Sequence, residues 1–259
     1  MADLGPAVRP GTSAYYVVRL APAAQQPALA ALFGWRHELI RAATRVADPG
    51  VALTKLQWWR EELRRGIAGT AQHPLARPLG EAARAHALPN ATFDTMAEAA
   101  ADDVRKTGCA SVEVLLDYCD RSGGSFGELL ARVGGTDPFA GRRLGSAARL
   151  VEVLRDLGGD LRRNHCRLPR AEIDCAALGP DRLRDPGSAG VLRSVLLALG
   201  ERARVGDHPS GPAGRWYTLR RLLLDELQAS GWDVLDAKVS ITPLRKLWHA
   251  WRVTDGGSG

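Results

Sequence analysis

Apolar residues recur three and four positions apart along almost the whole chain, and no long run recurs at a spacing of two, which confines it to a helical fold. Between Gln25 and Val46 the stripe is Leu29, Leu32, Phe33, Trp35, Leu39 and Ile40. A second stripe, Leu56, Trp59, Leu63 and Ile67, runs opposite the wet residues Glu61, Glu62, Arg64 and Arg65. A third, Leu144, Ala147, Val151, Leu154, Leu157 and Leu161, predicts a long helix over 140–161. Further helices are expected from His73 to about His86, from Asn90 or Thr92 to Lys106, and from Ser111 through Tyr118 toward Val133 with an interruption at Gly123, Gly124 and Gly127. The remaining ones span 189–204 and 216–230, with a last short helix near Pro243. Asp48-Pro49-Gly50, Asn164 to Pro169 and Asp207 to Gly214 punctuate the pattern. With 259 residues and 45% apolar content, one substantial core is affordable, so a single all-α domain over 1–259 is expected, ordered over about 13–252 with a flexible tail at 253–259.

Charge and composition narrow the classes. No apolar run approaches the roughly 18 to 20 residues that cross a bilayer, and Met1 to Pro10 lacks a signal-peptide core, which points to the cytoplasm. The 35 basic residues exceed the 29 acids by six, and only four of them are lysine: Lys55, Lys106, Lys238 and Lys246. Arginine suits phosphate, but these arginines are interspersed with acids and no reader motif accompanies them, so nucleic acid is not the expected partner. Cys109, Cys119, Cys166 and Cys175 show no C-x-x-C pair and read as small apolar residues. Trp216, Trp232, Trp248 and Trp251 concentrate late in the chain; core packing is their expected use, with peripheral membrane contact left open. The oligomeric state is not encoded in any pattern here.

Glu152, Asp156 and Asp160 lie one helical turn apart, hence on one face. Like charges at that spacing repel, and Gly158 and Gly159 each cost a helix about 1 kcal/mol relative to alanine. Magnesium would offset this, being hard and oxygen-seeking, with phosphate oxygens completing its shell. Arg149, Arg155, Arg162 and Arg163 could then pair with the same phosphate. The competing reading is a solvated face on which those arginines merely neutralise the acids.

Several motifs together resemble the squalene and phytoene synthase family, the head-to-head prenyltransferases. Ser13-Ala-Tyr15-Tyr16 followed by Leu20-Ala-Pro22, the Lys55-Leu-Gln-Trp58-Trp59-Arg60-Glu61-Glu62-Leu63 stretch, and His73-Pro74-Leu-Ala-Arg77 match its opening segments. Tyr118-Cys119-Asp-Arg-Ser-Gly-Gly124-Ser-Phe-Gly127, Leu154-Arg155-Asp156-Leu-Gly-Gly-Asp160 and Thr242-Pro243-Leu244-Arg245-Lys246-Leu247-Trp248 follow in the family's order. The resemblance implies an isoprenoid-synthase-like helical bundle around a central cavity, acting on farnesyl or geranylgeranyl diphosphate with Mg2+. It implies that Asp156 and Asp160, with Glu152, hold metal, that Tyr118 stands near the reacting carbons, and that Ser13, Tyr16, Asp103, Arg149 and Arg155 border the substrate. Gly124 and Gly127 would leave room for a prenyl chain. Whether NADPH takes part is not implied either way.

One departure is decisive for chemistry. Where the family carries its first DDxxD motif, this chain has Ile40-Arg41-Ala42-Ala43-Thr44, with Glu38 the only acid nearby. Arg149 and Glu152 also replace the family's Gln and Asn, and Gly159 its Glu. Removing one electrostatic contribution to a transition state typically costs about a hundred- to thousandfold. Two expectations follow: a prenyltransferase with a reduced magnesium site, or a catalytically degenerate member that binds an isoprenoid or serves as a respiratory-complex assembly protein, as in a branch that Glu38-Leu39-x-Arg41 also resembles.

Overall fold

In a computed structural model of the chain, residues 7–206, 209–236 and 239–255 are described. They form twelve α-helices and, among the described residues, no strand beyond an isolated bridge between Cys109 and Pro169. The first five helices are α1 (Ser13–Arg19), α2 (Gln26–Arg45), α3 (Pro49–Ile67), α4 (Ala76–Ala85) and α5 (Asn90–Arg105). After them come α6 (Val112–Cys119), α7 (Ser125–Gly134), α8 (Pro138–Leu161), α9 (Cys175–Arg182), α10 (Pro186–Arg202), α11 (Gly211–Ala229) and α12 (Pro243–Trp251). Local chemistry sets several starts: the Asp48 carboxylate accepts from Val51 N–H and Asp137 from Phe139 and Ala140 N–H, each with proline as the first helical residue.

Two apolar clusters share α8 and α11. One gathers α1 to α5 and α7 around Trp35, Trp59, Phe93 and Phe126; the other gathers α6, α10 and the C-terminal half of α8 around Leu115, Leu154 and Leu196. Trp216 and Trp232 are buried in these clusters, as expected of them. Trp248 and Trp251 are not: they stand 57% and 65% exposed on α12, because that helix has no core to face on its outer side.

The expected break at Gly123, Gly124 and Gly127 is absent. A single π-helical turn over Asp120–Gly124 carries α6 into α7, and the glycines serve packing instead. A Cβ at Gly127 would collide with the Gly141 carbonyl and one at Gly123 with Arg149, so the α6–α7 rod and α8 touch backbone to backbone along Gly123, Gly127, Gly141 and Gly145. The room expected for a prenyl chain beside Gly124 and Gly127 is therefore taken by α8.

Gly158 is corrected in the same way. Its N–H donates to the Val234 carbonyl at 3.2 Å, and a Cβ there would lie 2.5 Å from that oxygen. Close approach of the 234–235 backbone, not a metal, explains this glycine. Helices α10 and α11 begin earlier than the apolar pattern indicates, at Pro186 and Gly211, because proline accepts the first turn. Residues 207–208, within the expected loop, and 256–259, within the expected tail, lie outside the described residues. No described helix is long and apolar enough to cross a membrane.

Candidate functional site

The retained acids and tyrosine converge where α2, α5, α6, α8 and α11 meet. Glu152, 3% exposed on α8, is the centre. Its Oε1 accepts from Arg220 Nε of α11 at 2.9 Å, while Oε2 accepts from Arg149 at 3.1 Å and from Arg36 of α2. Burial alone would raise its pKa; Arg36, Arg220 and Arg149 overcome that and hold the carboxylate well below its usual range. Arg220 also donates to Ser13 Oγ at 2.9 Å, which brings α1 to the cluster.

Tyr118, 5% exposed, occupies the other half of the site. Its hydroxyl donates to Asp103 Oδ2 at 3.1 Å and accepts from Arg149 at 2.5 Å. Burial pushes its pKa up to about 12, so the phenol stays protonated and works as a donor, not a base. Arg149 and Arg167 cover its ring at 5.3 and 5.2 Å. Arg36 likewise stands 5.3 Å from the Phe126 ring centroid and 5.1 Å from that of Trp216, and Arg220 lies 3.8 Å from Trp216. Each guanidinium thus meets both a carboxylate and an aromatic ring, which holds it in place with its donors aimed inward.

Asp156 and Asp160 extend the row along α8. Arg155 grips Asp156 through two bonds, at 2.7 and 2.5 Å, and outweighs burial to lower its pKa. Asp160 accepts from Arg163 and, at 2.6 Å, from Arg167, which reaches across to Asp103 at 2.7 Å. Burial of Asp160 prevails over both cations and raises its pKa.

These bonds decide the fit for magnesium. Both oxygens of Asp103, Glu152, Asp156 and Asp160 already accept from a guanidinium or from the Tyr118 hydroxyl. No group of three or more His, Cys, Asp or Glu among the described residues is arranged to hold a metal. Opposite, Ile40 of α2 lines the hollow where the family's first aspartate would stand. The residues present do not fit a magnesium cluster, so the metal role expected of Glu152, Asp156 and Asp160 is not supported by their environment. The three acids share one face of α8 as expected, but each is held in ion pairs, Glu152 and Asp160 buried and Asp156 half-buried.

The deep cavity is likewise reduced. Arg36, Leu39, Ile40, Met96, Ala100, Asp103, Tyr118, Ser122 and Arg149 line a hollow of about 40 Å³. A second hollow of about 200 Å³ lies beyond the Tyr118–Asp103 bond, with Arg121, His165 and Arg167 in its wall. Of the residues expected at the site, Ser13, Asp103, Tyr118, Arg149, Glu152 and Asp160 share this network, with Asp156 and Arg155 at its edge. Tyr16 does not: it is 8% exposed in the apolar core, edge-on to Tyr15. Arg36, Arg167 and Arg220 were missed by the sequence reading. Two of them carry a readable signal, since Arg36 falls between Phe33 and Ile40, and Arg220 between Trp216 and Leu223, at positions where the apolar stripe calls for leucine.

Residues 7–206 match the squalene/phytoene synthase family model. Among characterised proteins, the phytoene synthase of Mycobacterium bovis is 28% identical over 221 residues, covering 82% of this chain and 69% of that one. The presqualene diphosphate synthase of Zymomonas mobilis is 27% identical over 260 residues, covering 93% and 89%. In structure, the squalene synthase HpnC of Alicyclobacillus acidocaldarius superposes with a TM-score of 0.69 at 23% identity, over 87% of this chain and 92% of that one. A dehydrosqualene synthase solved with a ligand gives 0.70 at 17% identity, over 92% and 89%.

Proposed function

This chain belongs to the squalene/phytoene synthase family, and from that premise we propose that it engages an isoprenoid diphosphate through guanidinium groups, without magnesium, and has given up the metal-driven head-to-head condensation. Its all-α fold and prenyltransferase-type ancestry come with the family. The observation that carries the reading is the pairing of every carboxylate oxygen on the retained wall, opposite a wall whose acids are replaced by Ile40, Arg41 and Thr44.

The charge balance supports it. Arg36, Arg149, Arg155, Arg163, Arg167 and Arg220 surround Asp103, Glu152, Asp156 and Asp160, six cations to four anions. That surplus suits a diphosphate with no bridging metal. Arg36 and Arg149 line the smaller hollow beside Leu39, Ile40, Met96 and Ala100, so an anionic head and an apolar tail would find complementary groups side by side. Tyr118, kept protonated, would donate to a phosphate oxygen or remain on Asp103.

Calorimetric titration of the full chain with farnesyl and geranylgeranyl thiolodiphosphate tests the reading. Affinity unchanged within about twofold between EDTA and excess Mg2+, with no product from the authentic diphosphates, is the expected outcome. Binding that requires Mg2+, or turnover that EDTA abolishes, would overturn it. A catalytically silent role in assembling other proteins is favoured only if neither analogue binds under either condition.

A further inference from the structure

Helix α12 turns its apolar stripe outward. Leu244, Leu247, Trp248 and Trp251 occupy positions i, i+3, i+4 and i+7, one face of the helix, and are 79%, 43%, 57% and 65% exposed. Four of the eleven exposed large apolar side chains in the described residues therefore sit on a nine-residue helix. Amphipathic helices of globular proteins turn such a stripe toward the core. Here the inward side is the buried Ala250 together with Lys246, whose Nζ donates to the Gly11 carbonyl at 2.9 Å.

Charge around the stripe is of one sign. Residues 243–252 contain Arg245, Lys246, His249 and Arg252 and no carboxylate. Two neighbouring acids are spent: Glu226 accepts from Arg245 at 2.7 Å, and Asp255 from the buried Arg215 at 2.5 Å. Arg252 lies over the Trp248 ring, which stands 5.9 Å from that of Trp251, so two indoles and a guanidinium make one continuous patch.

We propose that α12 docks the protein on an anionic bilayer surface, with Trp248, Trp251, Leu244 and Leu247 entering the headgroup region and Arg252 pairing with lipid phosphate. Indoles prefer that boundary, a helix with an apolar face and a basic flank lies in it, and each nearby cation adds attraction to anionic lipid. The inner side of the same helix packs on α11 and α1, the helices that carry Arg220 and Ser13 of the arginine cluster. Docking through α12 would bring the candidate site within one helix of the lipid phase. The inference rests on α12 alone and does not need the magnesium-free reading.

Cosedimentation of the full chain with phosphatidylcholine vesicles containing phosphatidylglycerol tests it, against phosphatidylcholine alone. Binding is expected to the anionic vesicles, to weaken with salt, and to fall more than tenfold in the Trp248→Ala/Trp251→Ala double variant, whose melting temperature should be unchanged because both side chains are exposed. Brominated lipid should quench part of the native fluorescence and none of the variant's. Equal cosedimentation of the double variant would overturn the proposal. So would absence of vesicle binding together with a concentration-dependent dimer that the double variant abolishes, since the occupant would then be a second copy of the chain. Neither result bears on diphosphate binding, which is measured without lipid.

Discussion

Helices α2 and α8 confront each other across the same hollow and have diverged in opposite directions. On α2 the acids of the family's motif are replaced by Ile40, Arg41 and Thr44, and Arg36 reaches across to Glu152. On α8 Asp156 and Asp160 persist, joined by Glu152, and each acid is bound by guanidinium groups; Arg149 and Glu152 are both new to the pattern. Losing anions on one wall while adding cations to the other has a single physical effect: a cleft suited to metal cations becomes one suited to anions directly. The two changes are complementary, since with the family's asparagine at 152 Arg36 would face Arg149 and Arg220 with no anion between them.

The contrast can be broken most forcefully at its centre. Glu152→Gln removes the shared anion of the buried Arg220 and the half-buried Arg36 and Arg149, and should cost about 3–5 kcal/mol in chemical denaturation, as removal of one partner of a buried ion pair does. Glu38→Gln on α2, which loses only a bond to the half-exposed Arg41, should stay within about 0.5 kcal/mol. Similar losses in both would mean that Glu152 is no keystone. A second measurement sharpens the complementarity. Restoring acids on α2 alone (Ile40→Asp, Arg41→Asp, Thr44→Asp) should leave turnover with Mg2+ undetected, whereas adding Arg149→Gln and Glu152→Asn should bring it about a hundredfold or more above the detection limit. Full activity from the α2 set alone would show that the arginines do not lock the α8 wall.

Smaller effects probe the supports. Gly127→Ala should destabilise by about 1–3 kcal/mol in thermal melts, because its methyl meets the Gly141 carbonyl. The same change at Gly159, which has open space beside it, should be neutral or stabilising. Acid gives the smallest and most diagnostic signal. Folded Glu152 titrates below its ordinary 4.5, so beneath that pH the unfolded chain binds more protons and stability falls as pH drops. Glu152→Gln should lose this part of the slope, seen as a flatter curve of stability between pH 5 and 3 than the native chain's.

The helices were legible because their signal is local and redundant. Stripes such as Leu144 to Leu161 fix a helix whatever packs on it, and Asp48 and Asp137 with their following prolines mark starts. The site was legible as a set of residues and not as an environment. Glu152, Asp156 and Asp160 could be put on one face from spacing, but whether that face was wet, metal-bound or ion-paired depended on Arg36 and Arg220, 116 and 68 residues away in sequence. Gly124 and Gly127 were readable as space; that α8 fills the space is a tertiary fact. Trp216 and Trp248 look alike in sequence, and only packing separates the buried one from the exposed one.

The glycine seam between the α6–α7 rod and α8 reaches beyond packing. It sets how far Tyr118 stands from Arg149, so it acts as a spacer that gauges the charged cluster: side chains larger than hydrogen at Gly127, Gly141 or Gly145 would pry the phenol from its guanidinium without touching either. Ligand preference in this molecule can therefore drift through backbone separation alone, while every chemically active residue stays the same.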